Sequence, residues 1–543
     1  MATAIVAPTS AGPTGHVDTV ADPVAGGTAV TAAETATVDL EKGVDDAASV
    51  ATDVSADVAK PATPYVPRGF LHQLCLIPER EDPYTYSPLV KQFLVFIFAI
   101  AGMVPSMGSA VFYPAVDDIA ADFNSSKTVI NLSIGFYMLA LGTFPLWWAH
   151  FSEANGRRVV YIVSFALFVA FNIGCALSTG VAELVVFRVL TGGAAASSQT
   201  MGASAIGDIY QPNQRGRATG YFYIGPLCGP LFAPIVSGIL TNAFGWQSTQ
   251  YFLVGVGGLV LALLVLALPE THHAKVTPAP VLPSVGDKIC YYTKLSLYTF
   301  FRPFKNFKLI LFPPFAFAIM YNAFGFGCTY WLNNSITYLY QSPPYNYSSL
   351  IVGLLYIPCA LGYLFGSIFG GRWSDRIIKR ATARNNGVFV PEHRLSNNLV
   401  VSGVVMTTSL LFFGWTAWAH LFWFVPLIGT FTNGFGGLIV FGATLTYLVD
   451  SMPEERSAAV TVNTFIRCVF AAIGCFTTVP LVDSVGMGAL FTALCIILFA
   501  FIPLQLYVKK HGERWRAEFQ EKQQREAAAR EVQAAAPAAT EKK

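Results

Sequence analysis

Ala149-His-Phe-Ser-Glu-Ala-Asn-Gly-Arg-Arg158 lies between two apolar runs, each long enough to cross a bilayer. A carboxylate, a glycine and two arginines crowd into this short polar turn. A second version, Gly371-Arg-Trp-Ser-Asp-Arg-Ile-Ile-Lys-Arg380, again separates two apolar runs. A charged turn repeated at the corresponding place of two halves is the pattern expected of a membrane transporter built from two bundles.

Composition agrees. Of 543 residues 54% are hydrophobic and only 12% charged, too little charge to cover a soluble surface of this size. Apolar segments of about 20 residues recur, the length that crosses about 30 Å of hydrocarbon. The formal net charge of +2 gives no support to a nucleic-acid partner. Most of the nine cysteines lie inside apolar runs and none forms a CxxC pair, so they read as small buried hydrophobes. Neither a disulfide framework nor a metal site is expected. No P-loop, GxSxG, HExxH or cysteine–histidine cluster stands out, so no cofactor and no enzymatic activity are expected.

Twelve spans follow from apolar length and charged breaks. They are 92–115, 128–149, 159–178, 181–208, 217–241 and 249–268, then 307–332, 347–371, 398–418, 421–449, 457–481 and 487–508. This gives an all-α membrane protein of two pseudo-symmetric six-helix bundles, 92–268 and 307–508. Residues 1–66 are expected to form a disordered tail, since they carry almost no aromatics with which to bury surface. No cleavable signal peptide is read there. Residues 67–91 read as an interfacial linker, 269–306 as a central connection, and 509–543 as a charged, partly helical tail.

Lys and Arg set the orientation. With the N-terminus in the cytoplasm, the inner loops hold Arg157, Arg158, Arg215, Arg217, Lys275, Arg372, Arg376, Lys379, Arg380, Arg384, Arg394 and Arg456, whereas the outer loops hold Lys127. That asymmetry is what the positive-inside rule requires, and it places both termini in the cytoplasm. Sequons at Asn124, Asn333 and Asn346 then fall outside.

A carboxylate at one helix end is stabilised by the N-terminus of another helix. Glu153 is therefore expected to face the start of span 11, near Arg456 to Ala459, and Asp375 the start of span 5, near Arg217. Such contacts would latch the halves on the inner side. Gly156, Arg157, Arg158, Asp208, Gly371 and Arg376 complete this gating set. Charged groups within spans are costly and mark function. Arg188 lies about 10 Å from the outer end of span 4, and Arg467 about 15 Å into span 11. The spans contain no central Asp or Glu. In span 5, Pro226, Pro230 and Pro234 remove helix hydrogen bonds, while Gly225 and Gly229 admit a close neighbour. Gly192 does the same in span 4. If spans 1, 4, 7 and 10 line a cavity, Ser106, Met107, Gln199, Tyr321, Asn322, Thr432 and Asn433 are its candidate lining, joined by Asn463 and Arg467 of span 11. The resulting pocket would be largely apolar and aromatic, suited to an amphipathic organic molecule.

These residues resemble the major facilitator superfamily. Glu153-Ala-Asn-Gly-Arg-Arg158 resembles its first signature, with Glu for the usual Asp and Ala154 for the usual Arg. Leu184 to Ala196, with Arg188 and Gly192, resembles the second. Gly225-Pro-Leu-Cys-Gly-Pro230 resembles the antiporter signature, with Pro230 where glycine is common. Phe144-Pro-Leu-Trp-Trp148, Phe151-Ser-Glu153, Arg188-Val-Leu-Thr-Gly-Gly193, Leu268-Pro-Glu-Thr271, Thr446-Tyr-Leu-Val-Asp450, Asn463 and Arg467 are similar to the fungal twelve-span drug:proton antiporters, in the quinidine-resistance and dityrosine-exporter subgroup. The resemblance covers about 90–508. It implies a plasma-membrane exporter, a monomer, exchanging protons for drugs, polyamines or small metabolites. A carboxylate-metabolite transporter with Arg467 as counter-ion and a non-transporting sensor are the rival expectations.

Overall fold

The computed structural model describes residues 72–80, 82–271, 302–452 and 456–540. Among the described residues there are helices and turns and no strand. The twelve long helices are α1 Pro88–Ala110, α2 Lys127–Asn155, α3 Arg157–Leu177, α4 Val181–Ile209, α5 Pro212–Phe244, α6 Gln247–Ala267, α7 Pro313–Gln341, α8 Ser349–Arg384, α9 Asn397–Trp418, α10 Phe424–Ser451, α11 456–485 and α12 487–540. Among the described residues, ten stretches are long and apolar enough to cross a membrane. One of them, Ala458–Phe519, holds both α11 and α12, which meet at Gly486. With the 29-residue α7, which is not among these stretches, the long helices among the described residues number twelve. The tail before Val66, most of the 269–306 connection, Lys275 and the Arg456 side chain lie outside the described residues.

Local chemistry sets the helix ends. Ser87 caps α1 by accepting from the Val90 N–H at 3.4 Å, and Pro88 supplies a first-turn residue whose missing N–H costs nothing. Ser126 caps α2 in the same way through Val129. Proline bends two helices: α2 changes course at Pro145 and α8 just before Pro358. The three prolines of α5 are all accommodated within one helix. α12 does not stop where its apolar residues do. The Ala-, Glu-, Lys- and Arg-rich stretch beyond 508 continues the helix to Thr540, as its strong helix formers favour.

The two halves repeat the same pairings. α1 packs on α5 and α7 on α11; α2 on α4 and α8 on α10; α3 on α6 and α9 on α12. Small residues permit these approaches. A Cβ on Gly225 would overlap the Ala99 carbonyl, and one on Gly229 the Ser106 hydroxyl. In the other half, a Cβ on Gly327 would lie 3.0 Å from the Phe470 carbonyl. A Cβ on Gly192 would lie 2.6 Å from the Tyr137 carbonyl, locking α4 to α2. The halves themselves meet along α2 with α11 and α5 with α8. Gly238 and Gly353 bring α5 and α8 nearly backbone to backbone, a Cβ on Gly238 falling 2.6 Å from the Ser349 carbonyl.

Candidate functional site

At the end of the molecule that carries the basic turns, the first half holds a buried polar cluster. Gly156 adopts φ +92° between α2 and α3, a conformation open to glycine and strained for other residues. The first backbone N–H groups of α3 then point at Glu270, just beyond α6. Arg157 donates to Oε1 at 2.8 Å and Arg158 to Oε2 at 3.1 Å. Glu270 is only 6% exposed, so a carboxylate caps the positive end of α3 out of water. The Arg157 side chain reaches Asp208 at 3.1 Å, joining α3 to the end of α4, and Ser152 at 2.5 Å. Arg158 donates to the carbonyls of Leu268 and Val265.

The second half builds its cluster differently. Arg394 pairs with Asp450 at 2.5 Å, joining the entry to α9 and the end of α10. This is the counterpart of Arg157 with Asp208. Glu392, 2% exposed, lies on the same entry loop and meets Arg516, on α12 beyond its apolar stretch, at 3.3 Å. Burial pushes the Glu392 carboxyl above its ordinary value, against the opposing pull of a backbone hydrogen bond and Arg516. Phe519 packs on Phe312 with ring centroids 4.8 Å apart, and Lys509 donates to Ser396 at 2.9 Å. The charged extension of α12 is thus docked on its own half.

One sequence expectation meets a different geometry here. Residues 371–380 are not a turn but part of the continuous helix α8, whose loop comes only after Arg384. The reason is at the third position after the carboxylate: Gly156 follows Glu153, whereas Ile378 follows Asp375 and stays helical. The latch contacts are not found among the described residues, which leave out the Arg456 side chain. Glu153 and Asp375 are both exposed, and neither has a hydrogen bond or ion pair among the described residues. Arg217 is exposed and bonds Tyr221 of its own helix at 3.1 Å. Gly371 and Arg376 are exposed as well.

The opposite end is closed by bonds between the halves. Gln341 of α7 donates to the Pro114 carbonyl at 2.8 Å, and Thr337 to that of Tyr113 at 3.1 Å. Ser349, at the start of α8, donates to Asp118 at 2.5 Å. Tyr113 stacks on Tyr356 with centroids 5.7 Å apart.

Two guanidiniums occupy the interior. Arg188 is fully buried between the rings of Phe112, at 4.1 Å, and Tyr137, at 4.2 Å, and donates to the Gly108 carbonyl at 2.8 Å. Its Nε and Nη1 have no hydrogen-bond partner. It therefore ties α4 to α1 and α2, with aromatic faces in place of a counter-ion. Arg467 is half-buried on α11. Its guanidinium lies 4.4 Å from the centroid of Phe326 on α7 and 4.8 Å from that of Phe441 on α10. One turn away, Asn322 of α7 donates to Asn463 of α11 at 2.9 Å.

The remaining candidates divide. Gln199 and Thr432 are half-exposed, Thr432 donating to the Ile428 carbonyl of its own helix at 3.0 Å. Ser106 is half-buried, bonded to the Met103 carbonyl at 2.9 Å and pressed on Gly229. Met107 and Tyr321 are packed within their bundles, and Asn433 is held by Ser409 of α9 at 3.2 Å. Pro226 packs against Gly102 of α1, with Pro230 one turn further along α5. Sequence reasoning did not single out Glu392, Arg516, Asp118 and Ser349, and it named Arg394 only as an inner-loop cation and Glu270 only within the Leu268–Thr271 motif. Of these, Glu270 carried a signal: an acidic residue immediately after an apolar span, behind a proline.

Comparison with known proteins points the same way. The profile of the Major Facilitator Superfamily matches residues 98–475. The MFS antiporter QDR3 of Candida albicans is 35% identical over 83% of this chain and 82% of its own. Quinidine resistance protein 3 of Saccharomyces cerevisiae is 32% identical over 83% of this chain and 87% of its own. Among solved structures, a D-xylose-proton symporter aligns with TM-score 0.59 and 14% identity, covering 77% of this chain and 97% of that one. A bacterial homologue of the human lysosomal transporter Spinster gives 0.56 and 16%, covering 78% and 95%.

Proposed function

The chain belongs to the Major Facilitator Superfamily, and on that premise we propose that it exports small amphipathic organic molecules in exchange for protons, by alternating access. It is a multi-pass membrane transporter; the exchange of protons and the class of cargo are the proposal.

One observation supports this reading above the others: the two ends of the molecule are in opposite conditions. The end away from the basic turns is tied across the halves through Gln341, Thr337 and Ser349. At the basic end, Glu153 and Asp375 stand exposed and unpaired among the described residues. An exporter passes between such a state and its reverse. In the reverse state Glu153 meets the start of α11 and Asp375 the start of α5, where helix N-termini favour a carboxylate. Arg157, Arg158, Asp208 and Glu270 keep the first half rigid while it moves. Gly192, Gly225, Pro226, Gly229, Pro230 and Arg188 hold α4 and α5 to their neighbours.

The basic end faces the cytoplasm on this reading, with both termini inside and the protein acting as a monomer in the plasma membrane. The relatives' printed names, an antiporter and a quinidine-resistance protein, support export of drug-like molecules. The test is flux in proteoliposomes containing the purified chain. An imposed pH gradient should drive an amphipathic fluorescent probe against its own gradient, and a protonophore should abolish this. Equilibration of the probe at the same rate with and without the gradient would remove proton exchange from the reading.

A further inference from the structure

From the interior charge, and resting on the transporter reading above, we infer that the cargo carries an anionic head, a carboxylate or its equivalent, which docks on Arg467.

Every Asp and Glu of the long helices lies near a helix end, as Glu153, Glu183, Asp208, Asp450 and Asp483 do, or in the charged stretch past the apolar part of its helix, as Asp375 and those of α12 beyond 508 do. The mid-depth positions hold two fixed charges, Arg188 and Arg467, both positive. Arg188 is spent: it is fully buried, sandwiched by two rings and bonded to the Gly108 carbonyl. Arg467 is not. It is half-buried, and among the described residues its guanidinium makes no hydrogen bond and no carboxylate pairs with it.

Its setting is that of a recognition site. Asn322 and Phe326 are four residues apart on α7, and Asn463 and Arg467 four apart on α11, so each pair shares a helix face. The two faces meet, Asn322 on Asn463 at 2.9 Å and Phe326 on Arg467 at 4.4 Å. Phe441 of α10 approaches from another side at 4.8 Å. A planar guanidinium flanked by aromatic rings offers a two-pronged hydrogen-bond donor to a carboxylate and flat apolar walls to the rest of the molecule. A cationic cargo would find like charge and no counter-carboxylate. Membrane depth makes that mismatch costly, because an unpaired charge there is expensive.

The experiment uses three probes with one aromatic body: 2-naphthylacetate, 2-(2-naphthyl)ethanol and 2-(2-naphthyl)ethylamine. Binding to the full chain in lipid nanodiscs is measured by calorimetry against empty nanodiscs. The expected order is carboxylate, alcohol, amine, with about tenfold between the first two, typical of one charge-assisted hydrogen-bonded pair. Arg467→Gln should bring the carboxylate down to the alcohol and leave the alcohol unchanged. Arg467→Lys should retain part of the preference. Thermal melting checks that both variants fold. An amine that binds as tightly as the carboxylate, a carboxylate affinity unmoved by Arg467→Gln, or no binding by any probe would each overturn the inference. Gradient-driven flux separates it from the exporter reading. Flux of the amine alone sinks the anionic head and leaves the exporter standing. Carboxylate binding without driven flux keeps the site and sinks the exporter.

Discussion

The two halves carry the same helix pairings but stabilise their basic ends in opposite ways. In the first, a carboxylate beyond α6, Glu270, caps the N-terminus of α3, and the glycine turn is pressed against it. In the second, the carboxylate has moved to the entry loop of α9, as Glu392, and the cation comes from α12 at Arg516. The arginine–aspartate clamp recurs in both, as Arg157 with Asp208 and Arg394 with Asp450. What the symmetry preserves is the joint between helices, while the chemistry that fills it is free to change. The first half uses a backbone dipole and a tight turn; the second uses side chains and a longer helix.

That contrast makes a graded set of predictions. The largest effect belongs to Gly156→Ala. The substitution forces a Cβ into a left-handed conformation and into the Glu270 carboxylate, and should cost about 1–3 kcal/mol or more. Gly387→Ala, at φ +83° in open space, bears the backbone strain alone, about 1–2 kcal/mol. Apparent melting temperatures in detergent would measure both, and equal losses would erase the difference drawn here.

Next comes Glu270→Gln, which removes the charge that answers the α3 dipole and should cost about 1–2 kcal/mol. Glu392→Gln should behave otherwise. Burial raises the Glu392 carboxyl, so the folded chain holds that proton more tightly than the unfolded one. Its contribution to stability is therefore present at low pH and is lost as pH rises from the ordinary glutamate range through the raised value. Near pH 7 Glu392→Gln should be neutral or mildly stabilising, and it should flatten the pH dependence of melting over that window. A pronounced loss at pH 7 with the slope intact would refute this account.

The two arginine–aspartate clamps are mostly buried, their side chains 9–24% exposed, and double-mutant cycles should find similar couplings of about 1 kcal/mol in each half. A coupling confined to one of them would mean that their resemblance is only geometric. Smallest of all are Glu153→Gln and Asp375→Asn, within about 0.5 kcal/mol in melting because both side chains are exposed here. Their effect should appear instead in cysteine accessibility at the basic end during gradient-driven transport. Unchanged accessibility in both variants would dismiss the latch.

Much of the architecture was legible in the chain because burial in lipid leaves the backbone few options. Apolar runs of spanning length must be helices, and their charged breaks mark the ends. Gly225 and Gly229 were readable as close-packing sites for the same reason, and the Ala99 carbonyl and Ser106 hydroxyl occupy the space they leave. The turn at Gly156 was legible from its glycine. The supposed twin at 371–380 was misplaced because its carboxylate and arginines matched while the residue that stops the helix, three positions on, did not.

Other features depend on which surfaces meet, and no spacing reports that. Glu270 and Arg157 are far apart in the chain, as are Glu392 and Arg516, and each pair exists only because two helix ends converge. Met107, Tyr321 and Asn433 read as cavity lining from residue type alone, and the structure shows all three buried, with Asn433 held by Ser409 of α9. Hydrophobic length is a property of a segment and survives any arrangement of its neighbours. The facing of a side chain, and hence whether an arginine is satisfied like Arg188 or left available like Arg467, is a property of the assembled helices.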